Sequence, residues 1–114
     1  MCEYSDRFQR VLGYIHAGKQ EGAKVVVGGS QLGSSGYFIH PTLFTDVKSD
    51  MSIVKEEIFG PVGVIIKFKT EEEVLQAAND SLYGLSACIY TNDISRATRF
   101  AAALEAGSVY VCAH

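Results

Sequence analysis

Residues 85–112, LSACIYTNDISRATRFAAALEAGSVYVC, decide the fold class of this 114-residue chain. Leu85–Thr91 has the apolar content of a buried strand, and Ser108–Cys112 has the composition of another. Between them Asn92 or Asp93 can cap a helix that Gly107 would close at a C-cap position. That helix would carry one apolar stripe, made of Ile94, Ala97, Phe100, Ala101 and Leu104. Strand, helix and strand with short connections predict a right-handed crossover between parallel strands.

The first 44 residues begin with another amphipathic pattern. Ser5 is a candidate N-cap, and a helix from there to about Gly22 would bury Phe8, Val11, Leu12 and Ile15. Lys24–Val27 is β-branched and predicts a short strand buried on both faces. The following stretch, 37–44, contains Pro41, which cannot donate to a ladder. We therefore expect an edge strand or an irregular extended segment there.

The middle of the chain mixes a loop with regular elements. Residues 46–61 fit neither a helical nor a strand period and predict a loop with one helical turn, whereas 62–68 predicts a strand. Thr70 and Glu73 have the spacing of a capping box, which opens a helix to about Asn79. The predicted fold class is α/β, with a mainly parallel sheet and flanking helices.

Composition and charge exclude several classes of function. The chain is 47% hydrophobic with a net charge of −3, and its basic residues are scattered, so nothing favours binding to nucleic acid or an anionic membrane. No apolar run approaches the roughly 20 residues of a membrane span, and the first residues do not form a signal peptide. Three cysteines without metal spacing favour a cytoplasmic or other reducing compartment.

The acidic pair Glu56-Glu57 has two interpretations when taken alone. One is a solvated pair of charges in a loop. The other is a carboxylate that binds a ribose diol, since an ionised carboxylate accepts hydrogen bonds from two hydroxyls at once, and Phe59 two residues on can lie against a flat ring. Spacing alone does not decide between them.

The surrounding motifs resemble the aldehyde dehydrogenase superfamily, in consistent order and over nearly the whole chain. The resemblance is to an internal fragment of the catalytic domain. The motifs that carry it are Val11-Leu12-Gly13-Tyr14-Ile15, Gly18-Lys19-Gln20-Glu21-Gly22-Ala23, Gly36-Tyr37-Phe38-Ile39-His40-Pro41-Thr42, Lys55-Glu56-Glu57-Ile58-Phe59-Gly60-Pro61-Val62, Asn79, Tyr83-Gly84-Leu85-Ser86-Ala87 and Gly107-Ser108-Val109-Tyr110-Val111.

The resemblance implies an NAD- or NADP-dependent oxidation of aldehydes to carboxylic acids, with a cysteine nucleophile and a general-base glutamate. Glu57 would bind the nicotinamide ribose and Phe59 would flank the nicotinamide. The family's nucleophile, general base and dinucleotide-binding domain all precede the matched region. Residues 1–114 would then be a partial catalytic domain that holds no catalytic residue and binds NAD weakly by itself.

The remaining candidate residues add no catalytic or metal site. Cys2 does not fit the family nucleophile, because it lies too close to Glu57 and its flanking sequence differs. Cys88 is expected to be inert core on a buried strand. Cys112 stands where the family usually has asparagine, and Tyr110 where it usually has tryptophan, which leaves the substrate contacts open. None of the three histidines, His16, His40 and His114, has metal spacing with another.

Two hypotheses follow for the chain as it stands. The first is a fragment of an aldehyde dehydrogenase that is inactive alone. The second is a non-catalytic α/β module that associates with full-length homologues through apolar surface left uncovered by three predicted helices on about four strands.

Overall fold

The computed structural model describes the backbone of residues 2–112 and the side chains of residues 4–112. The chain divides after Lys67 into two compact units, each built from helices and strands. Within the described residues, every helix is too short or too polar to cross a bilayer.

The first unit contains two helices and three strands: α1 (Cys2–Gln20), β1 (Lys24–Val27), β2 (Thr42–Thr45), α2 (Ser52–Lys55) and β3 (Val62–Val64). α1 buries Phe8, Val11 and Ile15, as its periodicity predicts. It ends just before Gly22, whose φ of +98° suits glycine. Ser5 is not its N-cap, because the helix already begins at Cys2.

The three strands of this unit form one sheet in the order β1-β2-β3. β1 runs antiparallel to β2, and β2 runs parallel to β3 with Phe44 opposite Val64. The prediction of an edge strand over 37–44 is wrong for its last part: Pro41 precedes β2, and β2 is central. The prediction of a doubly buried β1 is also wrong, because Val26 and Val27 remain about half exposed.

The core of the first unit lies between α1 and the sheet. Phe44 is fully buried and Ile15 is 1% exposed. Each such side chain contributes on the order of 2–3 kcal/mol through the apolar area it removes from water. The other buried members of the cluster are Val11, Ala23, Met51, Ile53 and Ile58.

The second unit contains α3 (Glu71–Asn79), β4 (Ser86–Tyr90), α4 (Ile94–Ala103) and β5 (Ser108–Cys112). β4 and β5 pair in parallel over five residues each, with α4 as the crossover, so the predicted β-α-β unit is confirmed. Asp93 is the N-cap of α4 and accepts from the backbone N–H groups of Ser95 and Arg96. Together with the parallel β2–β3 pair, this confirms an α/β fold.

Several local predictions for the second unit need correction. The Thr70 hydroxyl accepts from the N–H of Glu73, but the Glu73 carboxylate accepts from the N–H of Lys69 rather than of Thr70, so the capping box is only half formed. α4 ends at Ala103, and Gly107 instead donates to the carbonyl of Gly84 at the start of β5.

Burial in the second unit is also lower than predicted. Ile89 is the only buried residue of β4, and Ala97 the only buried residue of α4. Ile94, expected on the apolar stripe of α4, is 77% exposed. A pattern of apolar residues shows which face is suited to burial, but burial also needs a partner surface.

The strand predicted over 62–68 in the first unit is shorter than expected, since β3 ends at Val64.

Candidate functional site

The Glu56–Pro61 segment connects α2 to β3 in the first unit. α2 ends because Glu56 takes an extended conformation, while its N–H still donates to the carbonyl of Ser52. Ile58 is 9% exposed and belongs to the core cluster. The segment is therefore anchored at its centre by an apolar side chain.

Phe59 is turned outward by constraints on both of its neighbours. Ile58 is buried on one side, and on the other Gly60 lies so close to α1 that a Cβ atom there would sit 2.6 Å from Cγ2 of Val11. Between them Phe59 adopts a left-handed φ of 59°, a conformation that costs about 1–2 kcal/mol for a residue with a side chain. As a result its ring is 61% exposed, and the guanidinium of Arg7 lies 5.3 Å from the ring centroid.

Two side chains of α1 hold the acidic pair. Arg10 Nη2 donates to the backbone carbonyl of Glu57 at 2.9 Å, and the Tyr14 hydroxyl donates to Oε2 of Glu56 at 2.7 Å. The pKa of Arg10 is raised, first by its hydrogen bond to Tyr14 and further by the charges of Glu57 and Glu56. The backbone of Glu57 is thus fixed while its own side chain is not used for the attachment.

The carboxylate of Glu57 is exposed and accepts no hydrogen bond from residues 4–112. It differs in this from Glu56, which Tyr14 engages. A groove of about 340 Å³ is lined by Phe59 together with Asp6, Arg7, Arg10 and Ile58. The site predicted from the sequence therefore presents an exposed carboxylate and an exposed aromatic ring on the same segment. A carboxylate with two open oxygens is suited to a diol, and an exposed ring is suited to a flat heterocycle.

Sequence reasoning missed the residues that hold this segment. Arg10 and Tyr14 lie four positions apart, which places them on one face of α1. This spacing is the one feature of the sequence that indicates that the two side chains lie together. It does not reveal that their partners lie 47 and 42 positions further along the chain.

The cysteines differ from expectation in one respect. Cys88 is exposed, not inert core, because β4 is covered only at Ile89. Its sulfur lies 3.8 Å from that of Cys112, on the neighbouring strand. The side chain of Cys2 and all of His114 lie outside the described residues. Among the residues described, no three His, Cys, Asp or Glu side chains are grouped as metal ligands.

Comparison with known proteins identifies the family to which the fold belongs. The model of the aldehyde dehydrogenase family matches residues 4–114. The chain belongs to the aldehyde dehydrogenase family. The resemblance predicted from the motifs is confirmed.

Its relatives in this family are close in sequence and much longer. The chain is 54% identical over 106 residues to aldehyde dehydrogenase 1A1 of Gallus gallus. This match covers 93% of the chain and 21% of the relative. It is 54% identical over 105 residues to the mitochondrial aldehyde dehydrogenase of Homo sapiens, covering 92% and 20%. The chain thus spans about a fifth of the length of the curated aldehyde dehydrogenases it matches.

Solved structures of the family give the same result in three dimensions. An aldehyde dehydrogenase from Bacillus cereus, in complex with NAD+, superposes with a TM-score of 0.91 at 50% identity over 93% of this chain and 22% of that one. An indole-3-acetaldehyde dehydrogenase, also in complex with NAD+, superposes with a TM-score of 0.90 at 45% identity. Two members of the family with this fold therefore bind NAD+.

Proposed function

We propose that this chain supplies the nicotinamide-ribose side of the cofactor site in an aldehyde dehydrogenase that oxidises aldehydes to carboxylic acids with NAD or NADP. The observation that carries the proposal is that one segment, attached to α1 through Arg10, presents both an exposed Glu57 carboxylate without a hydrogen-bond donor among the described residues and the exposed ring of Phe59. The bound nicotinamide accepts the hydride from the substrate.

In this proposal Glu57 accepts hydrogen bonds from the two ribose hydroxyls, and Phe59 lies against the nicotinamide ring. Both residues act by orientation, because hydride transfer needs close approach of the reacting carbons. Arg10 and Tyr14 are positioning residues: they contact the backbone of Glu57 and the side chain of Glu56 rather than the cofactor.

We also propose that residues 1–114 correspond to part of a catalytic domain. The cysteine nucleophile, the general base and the dinucleotide-binding domain would come from other parts of a full-length family member. The purified chain should then form no NADH from aldehyde and NAD. Turnover that disappears on Cys2→Ala would contradict this, as would submillimolar NAD affinity by calorimetry that is lost on Glu57→Ala.

A chimera tests the roles of the two site residues. Residues 4–112 would replace the aligned part of the Bacillus cereus enzyme, and initial rates would be measured over a range of NAD concentrations. We expect Glu57→Gln and Phe59→Ala each to lower kcat/KM for NAD by about tenfold or more, because a misplaced nicotinamide slows hydride transfer. Glu72→Gln, at an exposed carboxylate of α3, is the matched control. Rates equal to those of the control would refute the assignment.

A second function, association with full-length homologues, is favoured by exposed apolar side chains. In the second unit Leu82 is 99% and Leu85 86% exposed. Large exposed apolar patches are typical of protein–protein interaction sites. Co-expression with a full-length family member should lead to co-purification, reduced by Leu82→Ser together with Leu85→Ser. A chain that stays monomeric beside such a partner would remove this function.

We propose a cytoplasmic or other reducing compartment for the chain, on the basis of its three cysteines without a disulfide framework. No partner among nucleic acids or membranes is proposed. Fractionation of cells that express a tagged chain would test the compartment, and recovery from an oxidising compartment would contradict it.

A further inference from the structure

The β4–β5 pair places two thiols side by side on one of its faces. Cys88 is the register partner of Tyr110, and Cys112 is that of Tyr90. Because register partners share a face, as do residues two apart on a strand, all four side chains lie on the same side of the pair. The sulfur atoms of Cys88 and Cys112 are 3.8 Å apart. The fold thus brings together two thiols that lie 24 positions apart in the sequence.

Neither thiol has a role in the function proposed above. The cofactor segment belongs to the first unit, whereas both cysteines belong to the second. Cys88 is exposed, Cys112 is partly exposed, and Cys88 also lines a groove of about 520 Å³. Ions in the solvent therefore have access to the pair within this unit.

We propose that Cys88 and Cys112 together bind one thiophilic divalent cation of the zinc class, with water at its remaining positions. Zn²⁺ prefers tetrahedral coordination, with Zn–S bonds of about 2.3 Å. Two such bonds at an angle of about 109° hold their sulfurs about 3.8 Å apart. The structure shows the same separation of 3.8 Å between the two thiols. The ion therefore fits the sulfur atoms where they stand.

The strand ladder favours an ion over a direct bond between the sulfurs. Cys88 and Cys112 are two residues out of register on a parallel pair, so their backbones lie too far apart for a disulfide unless the ladder itself moves. A bridging ion needs no such movement, because it joins the sulfurs at their present spacing.

The charges around the pair are compatible with a cation. The bound ion displaces the proton of each thiol to solvent, and the two resulting thiolates balance its two positive charges. Arg96 lines the groove beside Cys88, but its guanidinium is paired with Glu71 at 2.7 Å, which offsets its repulsion of a cation. The Tyr90 hydroxyl is hydrogen-bonded to Cys88 and helps to hold that sulfur in place, as outer partners of metal ligands do.

The small number of protein ligands determines the choice of probe. Among the described residues, no third His, Cys, Asp or Glu side chain is grouped with the two thiols. We therefore expect weaker binding than at a structural zinc site, which has four protein ligands. Co²⁺ is a suitable probe because its thiolate complexes absorb light, and Zn²⁺ binds the same ligands more tightly and should displace it.

The test uses the full chain with Cys2→Ser and His114→Ala, which removes a thiol and an imidazole that lie outside the described side chains. The chain is titrated with Co²⁺ in the presence of a thiol-free reductant. We expect a thiolate-to-Co²⁺ charge-transfer band that saturates at one ion per chain, with the visible bands of tetrahedral Co²⁺. A small excess of Zn²⁺ should remove both.

Matched variants distinguish a two-thiol site from binding to single cysteines. Cys88→Ser and Cys112→Ser should each raise the Kd for Co²⁺ at least about tenfold, since loss of even an outer partner of a metal ligand costs about 10–100-fold in affinity. Val111→Cys combined with Cys112→Ser keeps two thiols but moves one to the opposite face of β5, and it should bind no better than Cys112→Ser. Circular dichroism would show that each variant keeps its fold.

The proposal fails if excess Co²⁺ produces no charge-transfer band in the parent chain. It also fails if either serine variant binds Co²⁺ as tightly as the parent, because one thiol would then be sufficient. Parent-like affinity in the Val111→Cys variant would overturn it as well, since the shared face of β4 and β5 would then not matter.

Discussion

Arg10 and Glu57 are joined by a 2.9 Å hydrogen bond from the guanidinium of one to the backbone carbonyl of the other. The bond crosses 47 positions of sequence and attaches the loop between α2 and β3 to α1. It contacts only the main chain of Glu57, so the carboxylate remains available. The geometry therefore separates the group that positions the segment from the group that would meet the cofactor.

Replacing Arg10 should loosen this segment. In Arg10→Met the carbonyl of Glu57 loses its donor, and we expect faster hydrogen exchange of the backbone amides in 57–60, with α4 unchanged. Arg99→Met is the matched control, since Arg99 pairs with Glu71 in the second unit. Unaltered exchange in 57–60 would show that the segment is held without Arg10.

Two glycines of α1 should respond differently to alanine. A Cβ on Gly13 meets nothing within 4 Å, so Gly13→Ala should raise the free energy of unfolding by about 0.5–1 kcal/mol through helix propensity. A Cβ on Gly18 would lie 2.9 Å from Cδ1 of Ile53 and 3.2 Å from Cζ of Phe44.

Gly18→Ala therefore combines the same propensity gain with an overpacking cost of about 1–3 kcal/mol, and it should be less stable than Gly13→Ala. Urea unfolding of both variants would measure the difference. Equal stabilisation by the two substitutions would mean that α1 does not pack against the core as closely as the structure shows.

Acid should weaken the second unit through Glu71. The pKa of this carboxyl is lowered, first by its hydrogen bond with Arg96 and then by that with Arg99. Because the folded pKa lies below the ordinary value of 4.5, the stabilisation is present above about pH 4.5 and is lost as the pH falls through the folded pKa. Glu71→Gln should remove this part of the pH dependence.

The measurement is urea unfolding followed at pH values from neutral to acid. Glu72→Gln is the control: it removes an adjacent charge on α3 for which the structure shows no ion pair among the described residues. If Glu71→Gln and the parent lose stability with the same pH profile, the ion pairs of Glu71 do not contribute to folding.

Local signals in the sequence predicted most elements and the first residues of α3 and α4. Asp93 and Thr70 are caps because their side chains bond to backbone within three residues, a relationship visible in sequence. The position of β5 follows in the same way from the apolar run that begins after Gly107. The order β-α-β then predicts parallel pairing.

The failed predictions depended on distant contacts. The exposure of Val26 and Cys88 reflects which surfaces meet each strand, and a short apolar run does not specify this. The outward turn of Phe59 depends on the packing of Gly60 against Val11, from a different part of the chain. The site residues were predicted from a motif, whereas the side chains that hold them became visible only in the fold.

The central claim, that Glu57 aligns the nicotinamide for hydride transfer, is tested most directly by a kinetic isotope effect in the chimera. The rate of oxidation of an aldehyde carrying deuterium on its carbonyl carbon would be compared with that of the ordinary aldehyde, at saturating NAD, with and without Glu57→Gln. We predict a lower kcat and a larger isotope effect in the variant, because a misaligned ring slows hydride transfer until it limits turnover. An unchanged kcat with an unchanged isotope effect would contradict the claim.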